Sequence, residues 1–548
     1  MSDEAKAPLA RDQPRRAIPR WLPPAQAPEV ASSSRGGQSE RIAKFAESRI
    51  RTAARRYEVS RDADHAVSAL LAARAFGVDD HELPPHLLNA ASAVAGQLEQ
   101  IGTAKAAPPD GSASLGSRQT SALAIRGLRR QLRTAPNNPI ALAEVARHHI
   151  VLGNDEKAIT AMERARACAS QNVYLARAQN RLFHHLGDRK AARDSIVRTE
   201  NWRANPWLTA AEIATCTSMG KPSDQLKRSA SLIGVNQWSP ISLSELEAAI
   251  ATEEMAAGRR KKAEVLLQSA LRDPTGNALA QACFVTRDNP QFDSQSQSWT
   301  ERRDSEAEVL YSRARMNWET VSSAAGIWSE AEPYSSRPCH LGWGAANMAG
   351  DHLRALEFAR LGDERTDDFA HWKNLAALSL AYSGDLRESI RSLEGAVVHG
   401  VKGKHFLLAT VGLVAYRLGA AGFGDQCYFA ATMAYKEDGD PVSVASALLY
   451  WGHEWLSHSN GRKAPEIAAI VEKVRPPLIR HCPELLAMRQ MLESGTIQNP
   501  TITAAFSEVE LLLRLRGLAD KFEIFHRFAD GEKTQARQGL RSQSITID

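Results

Sequence analysis

From Arg41 onward, apolar positions recur every three or four residues, the period of a helix with one buried face. In the first such stretch they are Ile42, Phe45, Ala46, Ile50 and Ala53, and 66–76 and 87–101 continue the pattern. From about residue 121 one amphipathic stretch follows another. Runs of alternating Val, Ile and Thr are scarce, so strands are not expected. The stretches come in pairs. Each pair is joined by a Gly with a polar neighbour, and a small residue follows five positions after the Gly. Examples are Gly153-Asn154 with Ala158, Gly187-Asp188 with Ala192, Gly258-Arg259 with Ala263, and Gly350-Asp351 with Ala355. Gly384-Asp385 is followed by Ser389, and Gly419 by Gly424. The pattern predicts helical hairpins, each Gly closing one helix and each small residue letting two helices approach.

The hairpins repeat. Gly153 to Gly187 and Gly350 to Gly384 are both 34 positions, and Gly384 to Gly419 is 35. Gly187 to Gly258 is 71, which leaves room for one degenerate copy around 208–233. A hairpin cannot bury its apolar face alone, so stacking forces each copy to present the same positions to the next. With Pro139 as the first position of a copy, Leu142, Ala146, Gly153, Ala158, Met162 and Ala165 follow in register. A second copy from Val173 has Phe183, Gly187, Ala192 and Ile196, with Asn180 and Thr199 at positions where a small residue is usual. A later copy from Ala370 has Ala377, Gly384, Leu393 and Ala396, with Ser389 in place of Ala. These residues resemble the tetratricopeptide repeat family over about 121–275 and 307–435. The resemblance implies an all-α, right-handed α-solenoid and a protein that binds partners in a concave groove.

The chain divides by composition. Residues 1–40 are rich in Pro, Ser and Gly and are expected to be a disordered arm. A small helical unit is expected at 41–102 and a Pro/Gly/Ser linker at 103–120. Two repeat blocks follow at 121–275 and 307–440. Between them, 276–306 reads as a polar loop or break. Helices at 441–529 are expected to cap the open end, and 530–548 to form a disordered tail. The 548 residues suffice for a large core. The six cysteines stand at no metal-ligand or CxxC spacing and fit reduced core thiols. The most apolar run, 406–415, is too short to span a bilayer. With no apolar signal at the start of the sequence, the expected location is cytoplasmic.

Chemical motifs fail on context. Gly395 to Lys402 has two glycines but no GK[ST] ending and follows a helix, so it reads as a helix end and turn. Gly422 to Cys427 also reads as a turn. His453 and His458 are five apart, where a metalloprotease helix needs four. The pairs His148-His149 and His184-His185 diverge by about 100° on a helix. Gln281-Ala282-Cys283 lacks the residues that would supply a turn and an oxyanion site, so Cys283 reads as a small core residue. No enzyme, metal or cofactor is expected. Trp318, Trp328, Trp343 and Trp372 read as packing residues.

The resemblance carries groove positions onto this chain. In the first block they are Arg147, Arg177, Arg181, His184 and His185, a basic surface that implies an acidic peptide or protein partner. In the second they are His340, Asn347, His371, Asn374, Tyr382, Tyr416 and Arg417, suited to hydrogen bonding with an extended peptide. Charge adds an alternative. The chain has 68 Lys/Arg and 63 Asp/Glu, a net of +5. Residues 11–56 hold eleven basic and four acidic side chains, a net of +7, so the remaining 57 basic and 59 acidic residues sum to −2. A nucleic-acid partner would therefore engage Arg15, Arg16, Arg20, Arg49, Arg51, Arg55 and Arg56, with Trp21 and Tyr57 for stacking. The main expectation is a non-catalytic scaffold, and the alternative is a nucleic-acid-associated or peptide-sensing regulator using the basic N-terminal arm.

Overall fold

A computed structural model describes residues 17–21, 117–234, 238–287, 304–365, 368–398, 400–459, 462–495 and 509–531. The expected helical unit at 41–102, and Arg15, Arg16, Arg49, Arg51, Arg55 and Arg56, lie outside the described residues. Among the described residues there are 24 α-helices and no strand. The fold is an all-α stack of helical hairpins. None of these helices is long and apolar enough to cross a membrane.

The chain forms two compact units. The N-terminal unit comprises 15–307 with 331–334, and the C-terminal unit comprises 308–330 with 335 onward. In the first, Ser117–Thr134 precedes four hairpins: Pro139–Val151 with Asp155–Cys168, Val173–His185 with Arg189–Val197, Pro206–Ser218 with Gln225–Gly234, and Pro240–Ala256 with Arg260–Ala270. Gly276–Thr286 closes the series. In the second, Trp318–Ala331 is followed by Arg337–Met348 with His352–Asp363, Phe369–Ser383 with Leu386–Val397, and His405–Arg417 with Ala421–Glu437. Six further helices run from Pro441–His458 to Glu523–Gly531.

Short polar signals set the helix ends. Asn138, Asn172 and Asn205 accept the first free N–H groups of the helices that follow them. Pro139, Pro206, Pro240 and Pro441 stand in first turns, where a missing N–H removes nothing. At the hairpin tips Gly153, Gly187, Gly258, Gly350, Gly384 and Gly419 all have φ between 71° and 90°. Asp188, Asp351 and Asp385, each directly after such a glycine, cap the next helix. Two residues thus end one helix and begin another.

Hairpin closure is visible at the fifth position after each tip. Ala158, Ala192, Ala263, Ala355 and Ser389 are completely buried. Ser389 fits because its hydroxyl donates to the Ala377 carbonyl on the facing helix, at 2.7 Å. In the second copy the polar atom sits on the other helix. The Asn180 amide donates to the Ala192 carbonyl at 2.9 Å and to Thr215 Oγ1 at 3.0 Å.

Three expectations need correction. Residues 276–286 are a buried helix, so the segment 276–306 is not a loop throughout. The linker ends earlier than residue 120, because helix begins at Ser117. Gly422 to Cys427 is not a turn but part of Ala421–Glu437. There a Cβ on Gly424 would stand 2.9 Å from the Gly412 carbonyl oxygen and 2.5 Å from the Tyr416 ring. A Cβ on Gly412 would meet the Gly424 carbonyl at 3.1 Å. The two helices therefore cross backbone to backbone, and neither obstacle is a flexible side-chain end. Gly424→Ala is expected to destabilise the C-terminal unit by about 1–3 kcal/mol. Gly384→Ala, which meets no atom but keeps a positive φ, is expected to lose only about 1 kcal/mol. Urea titration of both variants checks the order.

Candidate functional site

Residues 17–21, Ala-Ile-Pro-Arg-Trp, are buried or half-buried against the N-terminal unit. This corrects the expectation that 1–40 is disordered throughout. Pro19 favours an extended chain, and the segment takes no regular secondary structure. Ala17 is buried with Ala210, Ile213 and Ala214 of Pro206–Ser218 and with Leu243, Leu246 and Ile250 of Pro240–Ala256. Ile18 packs beside them. Trp21, 1% exposed, joins Leu128, the Pro139–Val151 helix and Leu175 of Val173–His185. The segment thus runs along the first helices of successive hairpins, the face that sequence reasoning assigned to partner binding.

Arg20 lies between these two apolar contacts. Its guanidinium pairs with both Asp304 oxygens and with Glu306 Oε2, the latter at 2.6 Å. Burial opposes its charge, but Asp304 and Glu306, with Glu332 further off, outweigh that and hold it firmly protonated. Gly276 makes room for the pair. A Cβ there would fall 2.3 Å from Asp304 Oδ2 and 2.9 Å from Arg20 Nη1. Tyr334 completes the enclosure. Its ring centroid is 6.2 Å from that of Trp21, and its hydroxyl donates to the Trp21 carbonyl at 3.4 Å. Arg20 is therefore not available to a nucleic acid in this arrangement, contrary to its place in the expected basic arm.

The expected basic groove is neutralised from within. Arg147 pairs with Glu144 at 2.8 Å. Arg177 reaches Glu245 at 2.7 Å, across 68 residues of sequence. Burial pushes the Glu245 carboxyl up, yet Arg177, Asn277 and Thr275 together hold it below the usual range. Arg181 lies over the Tyr334 ring at 5.2 Å and within 3.9 Å of Glu332. His184 Nε2 is 3.0 Å from Thr215 Oγ1. His185 stands edge-on to Tyr334 at 5.9 Å. The five residues do share a region, but their cations already have carboxylates, so an acidic ligand gains little there.

The C-terminal unit separates its candidates. Asn374, Tyr416 and Arg417 are buried and cannot line a groove. Arg417 donates to Glu454 at 3.1 Å, and both side chains are almost wholly enclosed. The Tyr416 hydroxyl donates to Asp425, which also accepts the indole N–H groups of Trp451 at 2.7 Å and Trp455 at 2.8 Å. Nothing in the sequence reading marked Asp425, although Trp451 and Trp455 stand one helical turn apart. Asn347 is held by His352 at 3.0 Å, and Tyr382 stacks on His352 with centroids 5.1 Å apart. His340 and His371 are half-buried and stack at 5.5 Å. Phe406 meets His371 edge-on at 5.9 Å, so one ring from each of three successive first helices forms a ladder. Burial lowers the His371 pKa, which keeps the ring neutral near pH 7. His453 and His458 both approach Glu454, at 3.8 and 3.4 Å. Among the described residues, no group of three or more His, Cys, Asp or Glu could hold a metal ion.

No family model matches this chain. No curated protein matches it either. Three solved structures align over most of its length at low similarity. The crystal structure of yeast Tom70 shares 11% identity over 86% of this chain and 99% of its own, with a TM-score of 0.30. The Cut9-Hcn1 hetero-tetramer of the APC/C shares 10% identity over 81% and 97%, with a TM-score of 0.27. Naa15/Naa10 bound to HypK-THB shares 12% over 86% and 80%, with a TM-score of 0.20. Superpositions this loose carry no functional argument, and the reading of the chain rests on its own geometry.

Proposed function

We propose that this chain is a non-catalytic scaffold that holds a partner protein or peptide against the first-helix faces of its stacked hairpins. The observation that carries the reading is the segment Ala17–Trp21 lying along that face of the N-terminal unit. It is gripped as peptide ligands are gripped, through one aromatic anchor and one charged group. The ring ladder His340, His371 and Phe406 supports a second contact surface on the C-terminal unit, aromatic and half-exposed. A neutral His371 ring with its hydrogen-bonding nitrogens suits an extended backbone better than a charged one. A partner for this ladder would be a peptide or protein segment rather than a phosphate backbone.

The test pairs identification with a surface variant. Affinity purification of the tagged full-length chain from its native cell, followed by mass spectrometry, names the partners. The purified partner is then titrated against wild type and against His340→Ala with His371→Ala. The double variant is expected to bind at least ~10-fold more weakly, since two ring contacts of ~1 kcal/mol each are removed. Equal affinity for both proteins would move the interface off the ladder. Recovery of no stable partner by wild type would count against the scaffold reading itself.

A further inference from the structure

The seat around Arg20 has a chemical demand that outlasts its occupant. Asp304 and Glu306 pair with one guanidinium while Glu332 adds to the field around it from further off, and the side chains of Glu306 and Glu332 are buried. Remove Arg20, and Asp304 loses its paired guanidinium bonds and Glu306 loses one of its partners. Three charge-assisted hydrogen bonds go with that guanidinium, and a second guanidinium presented to the seat regains them. Its geometry prefers arginine, because one guanidinium edge spans Asp304 while another N–H reaches Glu306. Beside it lies an apolar pocket that encloses an indole and ends at the Tyr334 ring. The Tyr334 hydroxyl reads a main-chain carbonyl rather than a side chain. All three features belong to a short linear motif, and prolines flank the motif in this chain at Pro14, Pro19, Pro23 and Pro24.

We propose that Ala17–Trp21 is a built-in competitor: the seat of Asp304, Glu306, Glu332 and Tyr334 recognises a partner peptide in which arginine directly precedes a large aromatic residue, and the chain's own Arg20-Trp21 occupies it until that peptide displaces it. The inference rests on the scaffold reading and names the ligand chemistry of one of its faces. It reverses the charge expected from the sequence. The ligand is cationic and aromatic, because the arginines of this face already have carboxylates. A tethered competitor sets a threshold. At an effective concentration of ~1 mM against an intrinsic Kd of ~10 μM, it leaves the seat open ~1% of the time and weakens an incoming peptide ~100-fold.

The probe is a fluorescein-labelled peptide with the sequence of residues 13–24, titrated by anisotropy into the full-length chain. Wild type is expected to bind it ~100-fold more weakly than the variant Arg20→Gln with Trp21→Ala, whose seat is vacated. Adding Asp304→Asn and Glu306→Gln to that variant should abolish the gain. A peptide with glutamate in place of Arg20 should not bind the vacated seat. Arg20→Gln alone, the milder change, should give at least a ~10-fold gain and covers the case in which the double variant loses its helical circular dichroism. If natively folded vacated variants bind the peptide no better than wild type, the segment is a fixed part of the fold and the inference is overturned. The same holds if the charge-reversed peptide binds equally well. Either failure leaves the ring-ladder titration of the C-terminal unit untouched, so the contact surface proposed there is judged on its own result.

Discussion

Arg417→Ala is expected to destabilise the C-terminal unit by about 3–5 kcal/mol, measured by urea titration. Arg417 is 2% exposed and its partner Glu454 is 0% exposed, so truncation leaves a carboxylate in the core without its guanidinium. Burial alone would push the Glu454 carboxyl up. His453, Arg417 and His458 overcome that and hold it below the usual carboxylate range. The depressed value fixes the sign of the pH response. Stability from this centre is complete above the ordinary carboxylate pKa of about 4.3 and fades as pH falls through the lower folded value. The pair also joins two helices, since Arg417 ends His405–Arg417 and Glu454 lies in Pro441–His458. Adding Glu454→Gln to Arg417→Ala removes the stranded charge and is expected to recover more than half of the loss. A loss below about 1 kcal/mol for the single variant would show that water reaches Glu454 and that burial is not what gives the pair its strength.

Arg20→Glu is expected to release the N-terminal segment while the helices stay folded. The substitution places a fourth carboxylate near Asp304, Glu306 and Glu332, exchanging the ion pairs with Asp304 and Glu306 for repulsion. At about 3–5 kcal/mol for a broken buried pair, amide exchange across 17–21 should accelerate at least a hundredfold. Exchange in the Phe369–Ser383 and His405–Arg417 helices should not change. Accelerated exchange throughout Pro139–Val151 and Val173–His185 as well would mean that the segment is integral to the N-terminal core. Arg20→Lys keeps the charge but not the fork, and is expected to fall between wild type and glutamate.

The hairpins were readable because their signals are local. A tip glycine, the acid or amide beside it and a small residue five places later all follow from how one helix stops and another starts. Where a different residue meets the same demand, the signal vanishes. Met316 occupies a tip with φ 57°, 34 positions before Gly350, and Val321 takes the buried position that follows. Neither residue fits the Gly and Ala pattern, so in the second block the tip signal first shows at Gly350, although the block itself begins near 307. The paired glycines at 422 and 424 misled in the opposite sense. Glycine in a short stretch suggests a turn, but Gly424 answers to a helix that arrives from 12 residues earlier. The site suffered most from distance. Helical spacing put Arg147, Arg177 and Arg181 on one face, but the carboxylates that neutralise Arg177 and Arg181 lie 68 and 151 positions away. Proline and serine content made residues 1–40 look structureless. The contrary sign was a single Trp in a polar, proline-flanked stretch, an aromatic with no local reason to be there.

Arg20 and Asp304 are separated by 284 positions. At a synthesis rate of ~5–20 residues per second, roughly 14–57 s pass between the appearance of the arginine and that of its acceptor. In that interval the first hairpins are complete and their inner faces have formed, but the N-terminal segment has no acid to close on. A newly made chain therefore passes through a stage in which that face is unguarded, and a partner already present at the ribosome would meet no internal rival.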